Sequence, residues 1–252
     1  MSEHVRVEQR DCVLAITLAR PERRNAITVA MYAALANAIE RVATNDSIRL
    51  VTIRGEGQDF AAGNDLADFL QLRPEGDEEI AVWRFLRALV SCKIPLVAAV
   101  QGNCVGIGTT MLLHCDLVVA EDGTRFSLPF VDLGLVPEAA SSLILPRIAG
   151  RRRAARYLLL GEAFGVEEAV AIGLVSHRSE TGRLDSVFGD LIERLLAKPR
   201  EALRQTQQML RHGEQGEVLE RMRMEGEIFA ERLKSEEAKQ AIGAFFSRRK
   251  PA

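Results

Sequence analysis

The chain has 252 residues, 47 % of them hydrophobic and 27 % charged, with a formal net charge of -2. That length holds one large domain, or a domain with an appendage, around a sizeable core. No long basic run suits a nucleic acid, no apolar segment reaches the roughly 18 residues of a membrane span, and the polar start MSEHVRVEQRD lacks a signal-peptide core. The cysteines, Cys12, Cys92, Cys104 and Cys115, have no CxxC or zinc spacing, and the four histidines are scattered. Buried thiols in a reducing, cytoplasmic compartment are expected, and no metal site.

Val5–Gln9 and Val13–Leu18 read as a hairpin turning at Asp11-Cys12, ended by the charged break Arg20–Arg24. Thr28 is the expected N-cap of a helix over Val29–Thr44, with Met31, Leu35, Ala38, Ile39 and Val42 at helical spacing. Leu50–Arg54 is a strand, followed by FAAGNDL (Phe60–Leu66), a short helix over Asp65–Leu72 and the polar loop Arg73–Glu79. Ile80–Ser91 is an amphipathic helix whose Trp83 and Phe85 serve as core or pocket wall.

Pro95–Val100 is an apolar run short and Val/Ala-rich enough for a buried strand. Gly102, Gly106 and Gly108 lead from it into a buried helix beginning over Thr109–His114. Leu117–Ala120 and Arg125–Ser127 are strands, Arg151–Leu160 and Val166–Ala171 helices; the Arg151–Arg153 triplet reads as a solvated face or at most a phosphate contact. From Leu184 the chain is nearly all helix: Leu184–Leu196, Pro199–Arg211, Glu217–Lys234 and Ser235–Phe246. Strands alternating with helices imply an α/β fold.

A strand passing through a glycine-rich turn into a helix leaves backbone N–H groups unpaired at a positive dipole end, suited to a developing negative charge. The same residues serve equally well as a tight turn with no ligand. Glu138, after Pro137 in GLVPEAASS, taken alone is best read as a first-turn helix glutamate facing the dipole. Asp132 is a second acid in that segment, and Asp65 and Asp116 look like turn and helix-end residues.

As a set, FAAGNDL and GNCVGIG…CD, within Pro95–Asp116, resemble the paired oxyanion-hole segments of the crotonase (enoyl-CoA hydratase/isomerase) superfamily. The resemblance runs to about Val175; beyond it only helical character and length match. PFVDLGLVPEAASSLILP (Pro129–Pro146) resembles the Δ3,Δ2-enoyl-CoA isomerase type. The resemblance implies a crotonase-like spiral of ββα units over residues 1–190 and a C-terminal helical trimerisation region over 191–252. It implies a homotrimer or a dimer of trimers acting on an acyl-CoA thioester, with no cofactor beyond the coenzyme A of the substrate.

It also assigns roles. The backbone N–H groups of Asn64 and Ile107 would bind the thioester oxygen, beside Gly106 and Asp65. Ile107 departs from the glycine common in hydratases, although isomerase-type relatives carry a bulky apolar residue there. The Ala62 carbonyl would lie by the adenine, Arg23 or Arg24 of RPERRNAIT near the CoA phosphates, and residues 65–79 around the acyl chain. The two hydratase glutamates are replaced by Thr110 and Phe130, neither a general base, while Glu138 matches the isomerase base. Burial would raise its pKa and a helix N-terminus would lower it. The expected reaction is a shift of the 3-enoyl double bond to 2-trans. The rivals are another crotonase-type reaction, with water placed by Thr110 or Asp132, and non-catalytic acyl-CoA binding.

Overall fold

Val5–Arg10 (β1) and Val13–Leu18 (β2) pair antiparallel, with Val5 opposite Leu18 and Arg10 opposite Val13. From there the chain, a computed structural model describing residues 2–69 and 77–248, builds a six-stranded sheet. Leu50–Gly55 (β3), Leu96–Val100 (β4), Leu117–Glu121 (β6) and His177–Ser179 (β9) join β2 in parallel, in the order β1-β2-β3-β4-β6-β9. A second sheet, ordered β5-β7-β8, comprises Asn103–Val105 (β5), Arg125–Ser127 (β7) and Phe164–Gly165 (β8).

The two sheets are filled alternately. After β4 enters the large sheet, β5 enters the small one; β6 and β7 repeat the step one strand further on. The turn after β3 does the same in miniature, Ala61 bridging to Cys104 of β5. This stepwise advance, each turn closed by a helix, is the spiral of ββα units that the resemblance implies. The parallel strands are apolar on both faces because both are covered. Leu96, Ala98 and Val100 of β4 pack into the main core, whereas Val97 and Ala99 face Leu184, Phe188 and Leu191 of the helix Leu184–Leu196.

Helix boundaries differ from the sequence expectation by one to four residues at several ends, and four of these bear on the site. The first helix, α1 (Val29–Glu40), is capped by Thr28, whose Oγ1 accepts from Met31 N–H at 3.3 Å, but Arg41–Ala43 tighten to a 3₁₀ turn. Asp65 is a cap rather than a helical residue, and α2 is Leu66–Phe69, residues 70–72 of the expected helix lying outside the described residues. The following helix, α3 (Asp77–Ser91), begins three residues before Ile80. Of the loop expected over 73–79, residues 73–76 lie outside the described residues. The glycine turn enters α4 at Ile107 (Ile107–Thr110), ahead of Thr109, and Met111–His114 continue as 3₁₀.

The remaining helices are α5 (Ser141–Ala149), α6 (Arg151–Leu159), α7 (Val166–Ala171), α8 (Leu184–Leu196), α9 (Arg200–Arg211), α10 (Gln215–Leu233) and α11 (Glu236–Arg248). Residue 190 falls inside α8. The later helices lie on the body of the same chain: Val218, Met222, Phe229 and Ala238 join the main core. Arg211 ties α9 down through Asp116 Oδ1, at 3.0–3.1 Å, and the carbonyls of Leu89 and His114. Among the described residues no helix is long and apolar enough to cross a membrane.

Candidate active site

Two glycine turns meet at the edge of the small sheet. Val105 N–H donates to Ala61 O at 2.9 Å, and a Cβ built on Gly106 would lie 3.9 Å from Gly63 Cα. Gly106 has φ 54° and ψ -120°, a backbone conformation only glycine adopts without strain. It turns the chain sharply into α4, so the Ile107 amide stands at the first helical position with no carbonyl behind it. On the other turn, Ile27 N–H donates to Gly63 O at 2.8 Å and Asp65 N–H to Ile27 O at 2.9 Å. The Asn64 amide between them makes no backbone hydrogen bond among the described residues, and neither does that of Ile107. Two unpaired amides on adjoining turns are donors suited to a developing negative charge.

Glu138 is 6 % exposed, and its Oε1 is buried without a hydrogen-bond partner among the described residues. It does not lie in a helix first turn. Ala139 (φ 59°) and Ala140 (φ 57°) are both left-handed, and α5 starts only at Ser141. Two successive left-handed non-glycine residues cost on the order of 1–2 kcal/mol each, so the surroundings must hold them. His114 Nε2 lies 2.8 Å from Ala139 O; since a carbonyl only accepts, that nitrogen carries the proton. Ala140 N–H and Ser142 N–H donate to Glu225 at 2.6 and 3.0 Å. Burial, and then the Glu225 charge, push the Glu138 carboxyl up to about 8. The helix dipole expected to oppose that rise is instead faced by Glu225.

Tyr32 links the two halves. Its hydroxyl donates to Asn64 Oδ1 at 2.6 Å, while burial, and then the charge of Glu138, raise the phenol well above its ordinary pKa. The site therefore draws on α1, the Gly63 and Gly106 turns and the turn before α5, with α10 behind it.

The other expected residues fall around this centre. Thr110 is fully buried on α4, its Oγ1 without a hydrogen-bond partner among the described residues, and Phe130 is buried at the start of the Val131–Leu133 turn. Ala62 N–H donates to Arg24 O at 2.8 Å, which sets the exposed Arg23–Arg24 loop against the first glycine turn. Asp65 accepts from Arg20 at 2.7 Å and from the amides of Ala67 and Asp68; these outweigh burial and lower its pKa. Asp132 is exposed against Gly161. Arg151–Arg153 are solvent-exposed. No group of three or more His, Cys, Asp or Glu able to hold a metal ion occurs among the described residues.

Sequence reasoning missed Tyr32, His114 and Glu225. For Glu225 a signal existed. It stands at apolar-stripe spacing with Val218, Met222 and Phe229, where a charged residue needs a buried partner.

The family model for enoyl-CoA hydratase/isomerase matches residues 8–252. The 2,3-dehydroadipyl-CoA hydratase of Escherichia coli (strain K12) is 32 % identical over 254 residues, covering 100 % of this chain and 98 % of that protein. Enoyl-CoA delta isomerase 2 of Homo sapiens is 32 % identical over 249 residues, covering 96 % of this chain and 63 % of that protein. Among solved structures, an enoyl-CoA hydratase/isomerase from Pseudoalteromonas atlantica T6c is 40 % identical with a TM-score of 0.91, covering 99 % of each chain.

Proposed function

The chain belongs to the enoyl-CoA hydratase/isomerase family, and from that premise we propose that it shifts the double bond of a 3-enoyl-CoA to the 2-trans position with Glu138 as its single base. The observation that carries this reading is the buried Glu138 carboxyl, held near pKa 8, in a chain with Thr110 and Phe130 where a hydratase would carry acids.

The ionised Glu138 carboxylate takes a proton from C2. The freed electron pair enters the C1–C2 bond as the thioester oxygen becomes an enolate, received by the Asn64 and Ile107 amides. When the enolate collapses, the C2–C3 double bond forms, and the C3–C4 π pair takes the proton from Glu138 at C4. One carboxyl thus serves as base and then acid, and no water enters. A pKa raised by burial makes the carboxylate a stronger base toward carbon, and each oxyanion donor contributes about 2.7–4 kcal/mol. The thioester itself acidifies C2, so the reaction requires no metal or redox cofactor.

Arg23 or Arg24 would meet the CoA phosphates and the Ala62 carbonyl the adenine, on the loop that the Ala62–Arg24 hydrogen bond sets beside the first glycine turn. A homotrimer or dimer of trimers would cover exposed Leu159, Leu160, Met209 and Leu210; a stable monomer in sedimentation at micromolar concentration overturns that assembly. The free cysteines fit a reducing, cytoplasmic setting.

Incubation with a 3-enoyl-CoA and, separately, a 2-enoyl-CoA tests the activity. Isomerisation is expected, with hydration at least ~10²-fold slower, the scale of one missing acid/base group. Comparable rates would overturn the reading of Thr110 and Phe130 and point instead to hydration, with water activated by Glu138 or Asp132. Binding without turnover of either substrate would indicate an acyl-CoA-binding protein.

A further inference from the structure

Glu225 is only 3 % exposed on α10, yet it reaches the turn carrying Glu138. Its Oε2 accepts from Ala140 N–H at 2.6 Å and its Oε1 from Ser142 N–H at 3.0 Å. These amides bracket the point where the left-handed pair ends and α5 begins. Arg221, one turn earlier on α10, donates to Ser142 Oγ at 3.2 Å. We propose that Glu225 is a positioning residue for Glu138, tying the turn that carries the base and standing behind it as a second negative charge. This rests on the reading of Glu138 as the base.

The geometry serves two purposes at once. A left-handed Ala139-Ala140 pair relaxes unless both ends are fixed, and His114 holds one carbonyl while Glu225 holds the next amide. A neutral acceptor could do the same, but a carboxylate also adds charge in a region of low dielectric, where like charges oppose each other's ionisation. The groups facing Glu138 are the Tyr32 phenol from α1, the Glu225 carboxyl from α10 and, through Ala139, the His114 ring, which burial keeps neutral at pH 7. Facing Glu225 on its own helix is Arg221; burial raises the Glu225 carboxyl, and the hydrogen bonds from Ser142 and Ala140, then the charge of Arg221, offset that rise only in part. The C-terminal region thereby helps set both where the base points and at which pH it ionises.

The test uses the full chain with its glutamate carboxyl carbons labelled with ¹³C. Glu138 is assigned by the signal lost in Glu138→Gln. In Glu225→Gln, Glu138 is expected to titrate lower by about one pH unit, and the acid limb of turnover on a 3-enoyl-CoA should move with it. On the alkaline plateau turnover should fall about tenfold at unchanged KM, because one glutamine oxygen cannot hold both amides as before. A residue that merely caps α5 would lower the melting temperature and leave the Glu138 titration in place, and that result overturns the proposal. Should Glu225→Gln not fold, Glu225→Asp keeps the charge but shortens its reach to the two amides: Glu138 should then titrate near its wild-type pH while turnover falls about tenfold at unchanged KM, and unchanged turnover overturns the proposal. A wild-type protein that isomerises nothing while the two titrations remain coupled counts against the function of Glu138, not against the link to Glu225.

Discussion

Tyr32 Oη donates to Asn64 Oδ1 at 2.6 Å, from a fully buried ring on α1 to a half-buried residue of the first glycine turn. The bond orders the side chain of the residue whose backbone amide faces the proposed oxyanion. Tyr32→Phe removes the hydroxyl and little else, and a buried hydrogen bond is worth about 0.5–1.5 kcal/mol. Turnover should fall about two- to tenfold with KM unchanged, read by steady-state kinetics on a 3-enoyl-CoA. An unaltered kcat would show that Asn64 is held without Tyr32.

Glu138→Gln should bind acyl-CoA normally and lose at least ~10²-fold in turnover, as expected for a missing general base. Near-wild-type isomerisation by that variant eliminates Glu138 as the base. The wild-type pH profile follows from the same residue. With the free carboxyl near pKa 8, about a tenth is ionised at pH 7, so kcat/KM should rise up to pH 8 and level above it. A profile already flat from pH 5.5 would contradict a base in this environment.

His114 predicts a stability effect of definite sign. Burial lowers its pKa to about 4, against an ordinary value of 6.5. As pH falls below 6.5 the unfolded chain therefore takes a proton that the folded chain refuses, and stability is lost progressively down to about pH 4. The full difference is of order 3 kcal/mol. His114→Gln keeps a donor for Ala139 O but cannot titrate, so its urea midpoint should fall less between pH 6.5 and 4.5 than that of wild type. Equal losses in the two proteins would remove His114 from the account. Glu138 acts in the opposite sense: its raised pKa makes the folded chain hold a proton longer, so its contribution is lost as pH rises from 4.5 to about 8.

Gly108→Ala tests the spacing of the two turns. A Cβ there would lie 2.9 Å from Ala61 Cβ and 3.2 Å from Ala61 O, forcing α4 and the first turn apart. A displacement near 1 Å at a reacting centre costs up to about 10²-fold, so turnover should fall at least tenfold. Adding Ala61→Gly removes the clash and should restore most of the activity. If the double variant stays as poor as Gly108→Ala, the contact with Ala61 is not the cause.

By itself the sequence determined the α/β order, the Thr28 cap, the buried β4 strand and the two glycine turns, because periodicity, capping and glycine conformations are local properties. The resemblance to the crotonase superfamily, rather than the residues alone, set Glu138 against Thr110 and Phe130 as the candidate base. Only the tertiary structure decided what surrounds that base. On the residues alone Glu138 reads as a first-turn glutamate, but the left-handed Ala139-Ala140 pair delays α5 and turns the carboxyl into a buried site. Left-handed alanines have no local signature, as they persist only where distant groups hold them. Those groups are His114 and Glu225, and the second stands on a helix whose sequence shows only an interrupted apolar stripe. The pairing of Tyr32 with Asn64 was likewise invisible, because it forms only when α1 packs across the first glycine turn. The sequence thus offered Glu138 as a candidate base, whereas its burial, charge environment and aim come from contacts between segments far apart in the chain.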